Sequence, residues 1–268
     1  MFALQSLHRS LLALAFAAVA GVAAAAAPFA PQIGQEGKDV IWVPTQQVLI
    51  ERMLNAAKVA PNDYVIDLGS GDGRTVIAAA KRGAKALGIE YNADMVELSK
   101  QNAEKEGVAA RASFVKADIF ESDFSQATVI TMYLLPQINL KLRPKILAMK
   151  AGTRVVSNTF KMDDWIADEE ISSPDNVAFG PKAFMWIVPA KVEGNWQLAQ
   201  GELTLKQNFQ MLSGTLKSGA SSITISSARL DGDRIAFTVG TTEYSGRVSG
   251  NVMSGTLKGG ATWQATRR

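Results

Sequence analysis

An apolar run, Tyr64-Val-Ile-Asp-Leu68, passes directly into Gly69-Ser-Gly71-Asp-Gly73-Arg74. This junction constrains the fold more than any other stretch of the chain. Three glycines at alternate positions permit positive φ and let a ligand approach the backbone closely. The Ala-rich segment Thr75–Lys81 then reads as a helix whose first turn offers free N–H groups. A strand, a glycine loop and a helix in that order form the opening unit of a doubly wound sheet. Such sheets bind ligands at the carboxyl ends of their strands. The same alternation continues downstream. Ala84–Ile89, Ser113–Lys116, Thr128–Met132 and Thr153–Ser157 read as strands, with helical patterns over Asn92–Glu106 and Pro136–Met149. Residues 40–192 are therefore expected to fold as an α/β, Rossmann-like, mostly parallel sheet.

From about residue 193 the pattern changes. Residues 194–268 hold 11 of the 22 glycines and show no helical periodicity. Ser213-Gly-Thr-Leu-Lys-Ser-Gly-Ala220 recurs as Ser254-Gly-Thr-Leu-Lys-Gly-Gly-Ala261. A repeated strand-and-turn unit predicts a small all-β antiparallel barrel or sandwich over 193–268. Trp196 and Trp263, near its two ends, are expected to plug its core.

The first residues carry Arg9 and no acid, and Leu11–Ala27 is apolar and rich in Ala and Leu. A basic start, an apolar stretch and small residues at its end describe a secretory signal peptide. Residues 1–26 are assigned to it, with cleavage before Ala27, and 27–39 to a linker. The rest of the chain is then exported, periplasmic or secreted, with no stable membrane span after processing. An uncleaved membrane anchor is the alternative. The chain of 268 residues has no Cys, and its one His is His8, inside the signal. A mature chain with neither residue type has no Ser-His-Asp triad, no Cys nucleophile and no thiolate or imidazole zinc site. No metal site is expected. A net charge of +3 does not call for a nucleic-acid partner, and none is expected.

The glycine loop narrows the ligand. Gly69 and Gly71 fit the start of a dinucleotide fingerprint, but Arg74 stands where its third glycine belongs, and no G-K-[ST] is present. Asp67 and Asp72 would repel a pyrophosphate, and no Lys lies in the loop. An ammonium and a sulfonium suit it better, as in S-adenosyl-L-methionine (SAM). Glu90, 23 residues after Asp67, ends the second strand, where a carboxylate can accept from both ribose hydroxyls. Asp118 follows the third strand, where it can accept from the adenine amino group.

These stretches resemble the class I SAM-dependent methyltransferases. With Val43-Pro-Thr45, Asp67–Arg74, Gly88–Asn92, Ala117-Asp118, Tyr133-Leu-Leu-Pro136 and Gly152–Ser157, the chain looks most like the protein-lysine methyltransferases of archaea and mitochondria. The resemblance runs over about residues 40–190. It implies that Asp67, Gly69 and Gly71 contact the methionine part of SAM, Glu90 the ribose and Asp118 the adenine. Tyr133 would lie on the acceptor side and is the candidate catalytic residue. The N/D-P-P-Y/F motif of exocyclic-amine nucleic-acid methyltransferases is absent there. A protein lysine is the expected acceptor; a small molecule, or a non-catalytic binding role, is the alternative. Trp42, Leu134 and Phe160 could wall an apolar mouth, with Asn158 orienting the amine, although core packing serves equally for Trp42 and Phe160. The acidic run Asp163–Glu170 is expected to be a solvated surface helix.

Overall fold

The computed structural model describes residues 29–173 and 180–268; the proposed signal peptide lies outside them. Strand β1 (Tyr64–Leu68) is buried from Val65 onward. It pairs in parallel with β2 (Lys85–Glu90) on one side and β4 (Val129–Met132) on the other. A strand covered on both faces needs apolar residues in succession rather than in alternation, which is why this run reads as it does. The outer parallel neighbours are β3 (Ala112–Lys116), beside β2, and β5 (Arg154–Asn158), beside β4. With β6 (Glu169–Ser172) and β7 (Lys182–Ile187) at one edge, the sheet order is β3-β2-β1-β4-β5-β7-β6, so the winding reverses between β1 and β4. A crevice opens at such a reversal because the crossover helices on its two sides leave toward opposite faces.

Helices α1 (Gln47–Ala56), α2 (Arg74–Lys81) and α3 (Ala93–Lys105) contribute Leu49, Val76 and Val96 to the core on one face. Helix α4 (Pro136–Leu147) contributes Ile138, Leu142 and Ile146 to the core on the other. Helix α3 is capped by the Asn92 side chain, which accepts from the backbone of Asp94 at 2.8 Å.

Two antiparallel strands close the sheet edge, β6 (Glu169–Ser172) and β7 (Lys182–Ile187). They overturn the surface helix expected over Asp163–Glu170. Trp165 is fully buried there, Met162 and Trp165 form a β-bridge, and Glu169 begins β6. The acids masked a segment whose one large aromatic belongs to the core.

The C-terminal region is a closed barrel rather than a sandwich. Its strands are β8 (Gly194–Leu198), β9 (Gly201–Asn208), β10 (Met211–Ser218), β11 (Ser221–Asp231), β12 (Arg234–Val239), β13 (Thr242–Ser249), β14 (Val252–Leu257) and β15 (Thr262–Arg267). Consecutive strands pair antiparallel and β15 returns to β8, so no edge is left open. The interior is filled with side chains. Trp196 is fully buried, and Trp263 meets Phe237 and Tyr244 edge-on at 5.6 Å. Both Trp residues are core, as expected, and Ala190 and Val192 already pack with them. The sequence repeat falls on β10 and β14. Its glycines sit where strands crowd: a Cβ on Gly214 would lie 1.9 Å from the Thr204 carbonyl oxygen, and one on Gly255 1.9 Å from that of Ser245. Residues 31–268 form one compact unit.

Candidate functional site

The end of β1 and the loop after it form the floor of a partly open cleft. Asp67, Gly69, Gly71, Glu90, Asp118 and Tyr133 all line it. The structure thus brings together every site residue expected from the sequence.

The loop is held from both sides. Gly69 N–H and Ser70 N–H donate to the Ile89 carbonyl at 2.9 and 3.1 Å, tying the loop to β2. From α3, the Ser99 hydroxyl donates to the Gly71 carbonyl at 2.9 Å and the Asn102 amide to that of Asp72 at 3.0 Å. Gly69 and Gly71 have φ of +77° and +54°. A Cβ on Gly71 would lie 2.7 Å from the Trp42 ring nitrogen, and one on Gly69 3.1 Å from Leu134. Bare backbone here leaves room in the cleft that any side chain would take.

The carboxylates differ in their partners. Asp67 is buried and accepts from the Thr131 hydroxyl at 2.7 Å. Burial pushes its carboxyl up to about 7; Thr131 pulls the other way, while the nearby Glu90 and Asp72 charges add to the rise. Glu90 accepts Gly71 N–H on Oε2 and Asn92 N–H on Oε1, both at 2.9 Å. Each oxygen keeps lone-pair capacity for a further donor. Asp118 accepts Phe120 N–H at 2.8 Å on Oδ1, and its Oδ2 is paired with Lys38. The Lys38 ammonium holds its carboxyl below the usual carboxylate range.

Asp72 corrects the sequence argument. Arg74 grips it through Nε and Nη2 at 2.9 and 2.6 Å, so its charge is balanced locally. The negative character of the floor therefore rests on Asp67 and Glu90. Arg74 also donates to the Thr45 carbonyl at 3.1 Å, and the Thr45 hydroxyl accepts from Asn158 at 3.1 Å. Val43-Pro-Thr45 is thus the strap that joins the loop to the end of β5. Lys38, Trp42 and Tyr91 complete the wall, with the Lys38 ammonium 4.9 Å from the Tyr91 ring centre.

On the far side Tyr133 lines the cleft, and Phe160 stacks on it at 6.2 Å. Neither Trp42 nor Phe160 is fully buried, so neither is a core residue. Asn158 is buried behind the cleft wall, its Nδ2 donating to the Thr45 hydroxyl and its Oδ1 accepting from the Thr159 hydroxyl, and it does not line the cleft. It braces the wall rather than presenting itself to an amine. Among the described residues no group of three or more metal-ligating side chains occurs.

The ANTKMT methyltransferase domain family matches residues 67–169. A protein-lysine N-methyltransferase of Saccharolobus islandicus is 47% identical over 139 residues, which cover 51% of this chain and 86% of that one. The chain belongs to this methyltransferase family. It is also 32% identical, over 118 residues, to the adenine nucleotide translocase lysine N-methyltransferase of Mus musculus; that match covers 43% of this chain and 51% of the relative. A solved RNA methyltransferase of Salinibacter ruber, in complex with S-adenosyl-L-homocysteine, is 41% identical with a TM-score of 0.52; it covers 56% of this chain and 96% of that one. The methyltransferase is thus a class I, SAM-dependent enzyme. The cleft fits that cofactor: a bare-glycine floor, a buried carboxyl for a cation and an unsaturated Glu90 at the next strand end. What sequence reasoning missed in this methyltransferase is Lys38, whose only signal is spatial, and the Arg74–Asp72 pair, which was open to view two residues apart.

Proposed function

We propose that the enzyme transfers methyl groups to lysine side chains of protein substrates. The observation that carries this reading is the 47% identity to a protein-lysine N-methyltransferase over 86% of that relative's length. Within the cleft, Asp67 and the Gly69–Gly71 backbone would hold the amino-acid end of SAM, Glu90 the ribose and Asp118 the adenine end. SAM supplies a methyl group already activated on a sulfonium. The chain's own work is then to position and to desolvate. Tyr133, Leu134 and Ile138 wall the acceptor side. An apolar wall of this kind lowers the pKa of an entering ammonium and favours the neutral, nucleophilic amine. The Tyr133 hydroxyl is assigned to orient that amine, and no general base is required of an imidazole. We also propose that the mature chain works outside the cytoplasm, as its first 26 residues suggest.

Incubation of the mature chain with methyl-labelled SAM and cell-envelope protein tests the acceptor. Label in lysine of a protein is expected. Label confined to RNA, the second reading that the Salinibacter relative raises, or to low-mass compounds would overturn it. A topology reporter fused after Arg268 checks the compartment.

A further inference from the structure

The barrel grips one segment of the α/β region, and Phe160 in that segment backs Tyr133 of the acceptor wall. It runs from Thr159 to Asp168. At its start, Thr159 has φ of +63° and Phe160 stacks on Tyr133. Such a φ is strained for a β-branched residue and persists only where the surroundings hold it. Helix α4 supplies part of the hold. The Asn139 amide donates to the carbonyls of Phe160 and Lys161 at 3.3 and 3.4 Å. One turn later Arg143 donates to that of Met162 at 2.9 Å.

The other end is held by the barrel. Gln210, at the β9–β10 turn, is 3% exposed. Its Oε1 accepts from the Trp165 indole at 3.0 Å, and its Nε2 donates to the Ile166 carbonyl at 2.8 Å. An indole N–H only donates, so the orientation of the Gln210 amide is fixed by its partners. Phe209 stacks on Trp165 at 5.7 Å with 15° between the planes. Arg229 on β11 pairs with Asp168, whose second oxygen accepts Ile187 N–H at 2.8 Å. A buried side-chain amide satisfied on both ends by one short segment specifies the position of that segment, because any slip leaves polar groups unpaired.

We propose that the barrel is a built-in clamp on the acceptor side, with Gln210 and Arg229 as positioning residues that set where Phe160 and Tyr133 meet the methyl acceptor. This rests on the acceptor-side reading of Tyr133. The clamp acts through Trp165 and Asp168 and touches no part of the SAM floor, so the two binding events respond differently to its loss.

The test compares full-length Gln210→Ala, Arg229→Met and Trp263→Phe. The last weakens the barrel core without touching the clamp. Three readouts are needed: SAM affinity by calorimetry, steady-state kcat/KM for the protein acceptor, and hydrogen exchange over residues 159–168. Gln210→Ala and Arg229→Met should free the exchange of that segment and lower acceptor kcat/KM by about tenfold or more, since a displacement of ~1 Å can cost up to ~10²-fold. Their SAM affinity should stay within about twofold of wild type, well under a tenfold change of ~1.4 kcal/mol. Trp263→Phe should alter neither the exchange of the segment nor acceptor kcat/KM. The clamp is overturned if Gln210→Ala and Arg229→Met leave exchange at 159–168 unchanged, or if Trp263→Phe reproduces their effect. If wild-type enzyme labels no protein lysine but the exchange responds as stated, the clamp stands and the acceptor assignment fails.

Discussion

Burial pushes the Asp67 carboxyl up to about 7, so its charge changes near neutral pH. An unfolded Asp titrates near ~3.9. Between about 4 and 7 the folded apo protein therefore binds the extra proton, and Asp67 costs stability progressively as pH rises through that window. Cofactor binding has the opposite sign. A cationic ligand needs the carboxylate, so below about 7 it must displace a proton, and affinity should climb with pH and level off above that value. Calorimetry of SAM binding across this range, in buffers of different ionisation enthalpy, should show proton release that Asp67→Asn abolishes; an unchanged slope in that variant would assign the titration elsewhere. Glu90 has a different task. Its two oxygens organise Gly71 and Asn92 before any ligand arrives. Glu90→Ala should weaken SAM by about 1.5–3 kcal/mol, hence about tenfold or more, because charged hydrogen bonds are lost on both sides. These residues were legible because each stands at or one residue before the carboxyl end of a strand, two positions from a glycine. Lys38 was not: it reaches Asp118 from 80 positions away, and nothing local marks it.

Among the elements, the parallel strands announced themselves through apolar runs, and α2, α3 and α4 were read as helices, but α1 (Gln47–Ala56) and the β6–β7 edge were not. The approach to that edge carries Asp163, Asp164 and Asp168, which suggests a solvated surface. Those charges are spent on particular partners, Asp164 on Arg143 and Asp168 on Arg229 and Ile187 N–H, while Trp165 goes inside. Charge count alone cannot separate a solvated helix from a pinned loop, because both present acids at similar intervals. The two differ in what the aromatic contributes. Trp165 packs 5.9 Å from Trp186 and 5.7 Å from Phe209 and is fully buried. Trp165→Ala should therefore lower unfolding free energy by about 3–5 kcal/mol in a denaturant titration, whereas Ile166→Ala, next to it and 74% exposed, should change it by within about 0.5 kcal/mol.

At the scale of the whole molecule, a change of residue grammar near 193 separated a parallel sheet from a barrel, and the sequence said nothing about how they join. The joint is built from pairs distant in the chain, Gln210 with Trp165 and Arg229 with Asp168, and from backbone contact at one point. There Ala190 N–H donates to the Gly232 carbonyl at 2.9 Å. Gly232 has φ of +61°, and a Cβ on it would lie 2.9 Å from Gly152 Cα. That approach involves backbone on both sides, so no rotamer change can relieve it. Contacts this tight should make the two cores unfold together, and each also takes a residue from the other half, Phe209 against the sheet core and Ala151 against the barrel core. Cooperative unfolding shows as coincident transitions by different probes. In wild type, tryptophan fluorescence, which samples both cores, and helical circular dichroism, which samples only the sheet region, should therefore trace one curve. Gly232→Ala pushes the halves apart without altering either core, so its curves should separate, and SAM should raise the midpoint of the helical signal more than that of the barrel. Curves that already diverge in wild type would mean the barrel is carried as an independent body, and the joint would then be too weak to transmit anything to the cleft.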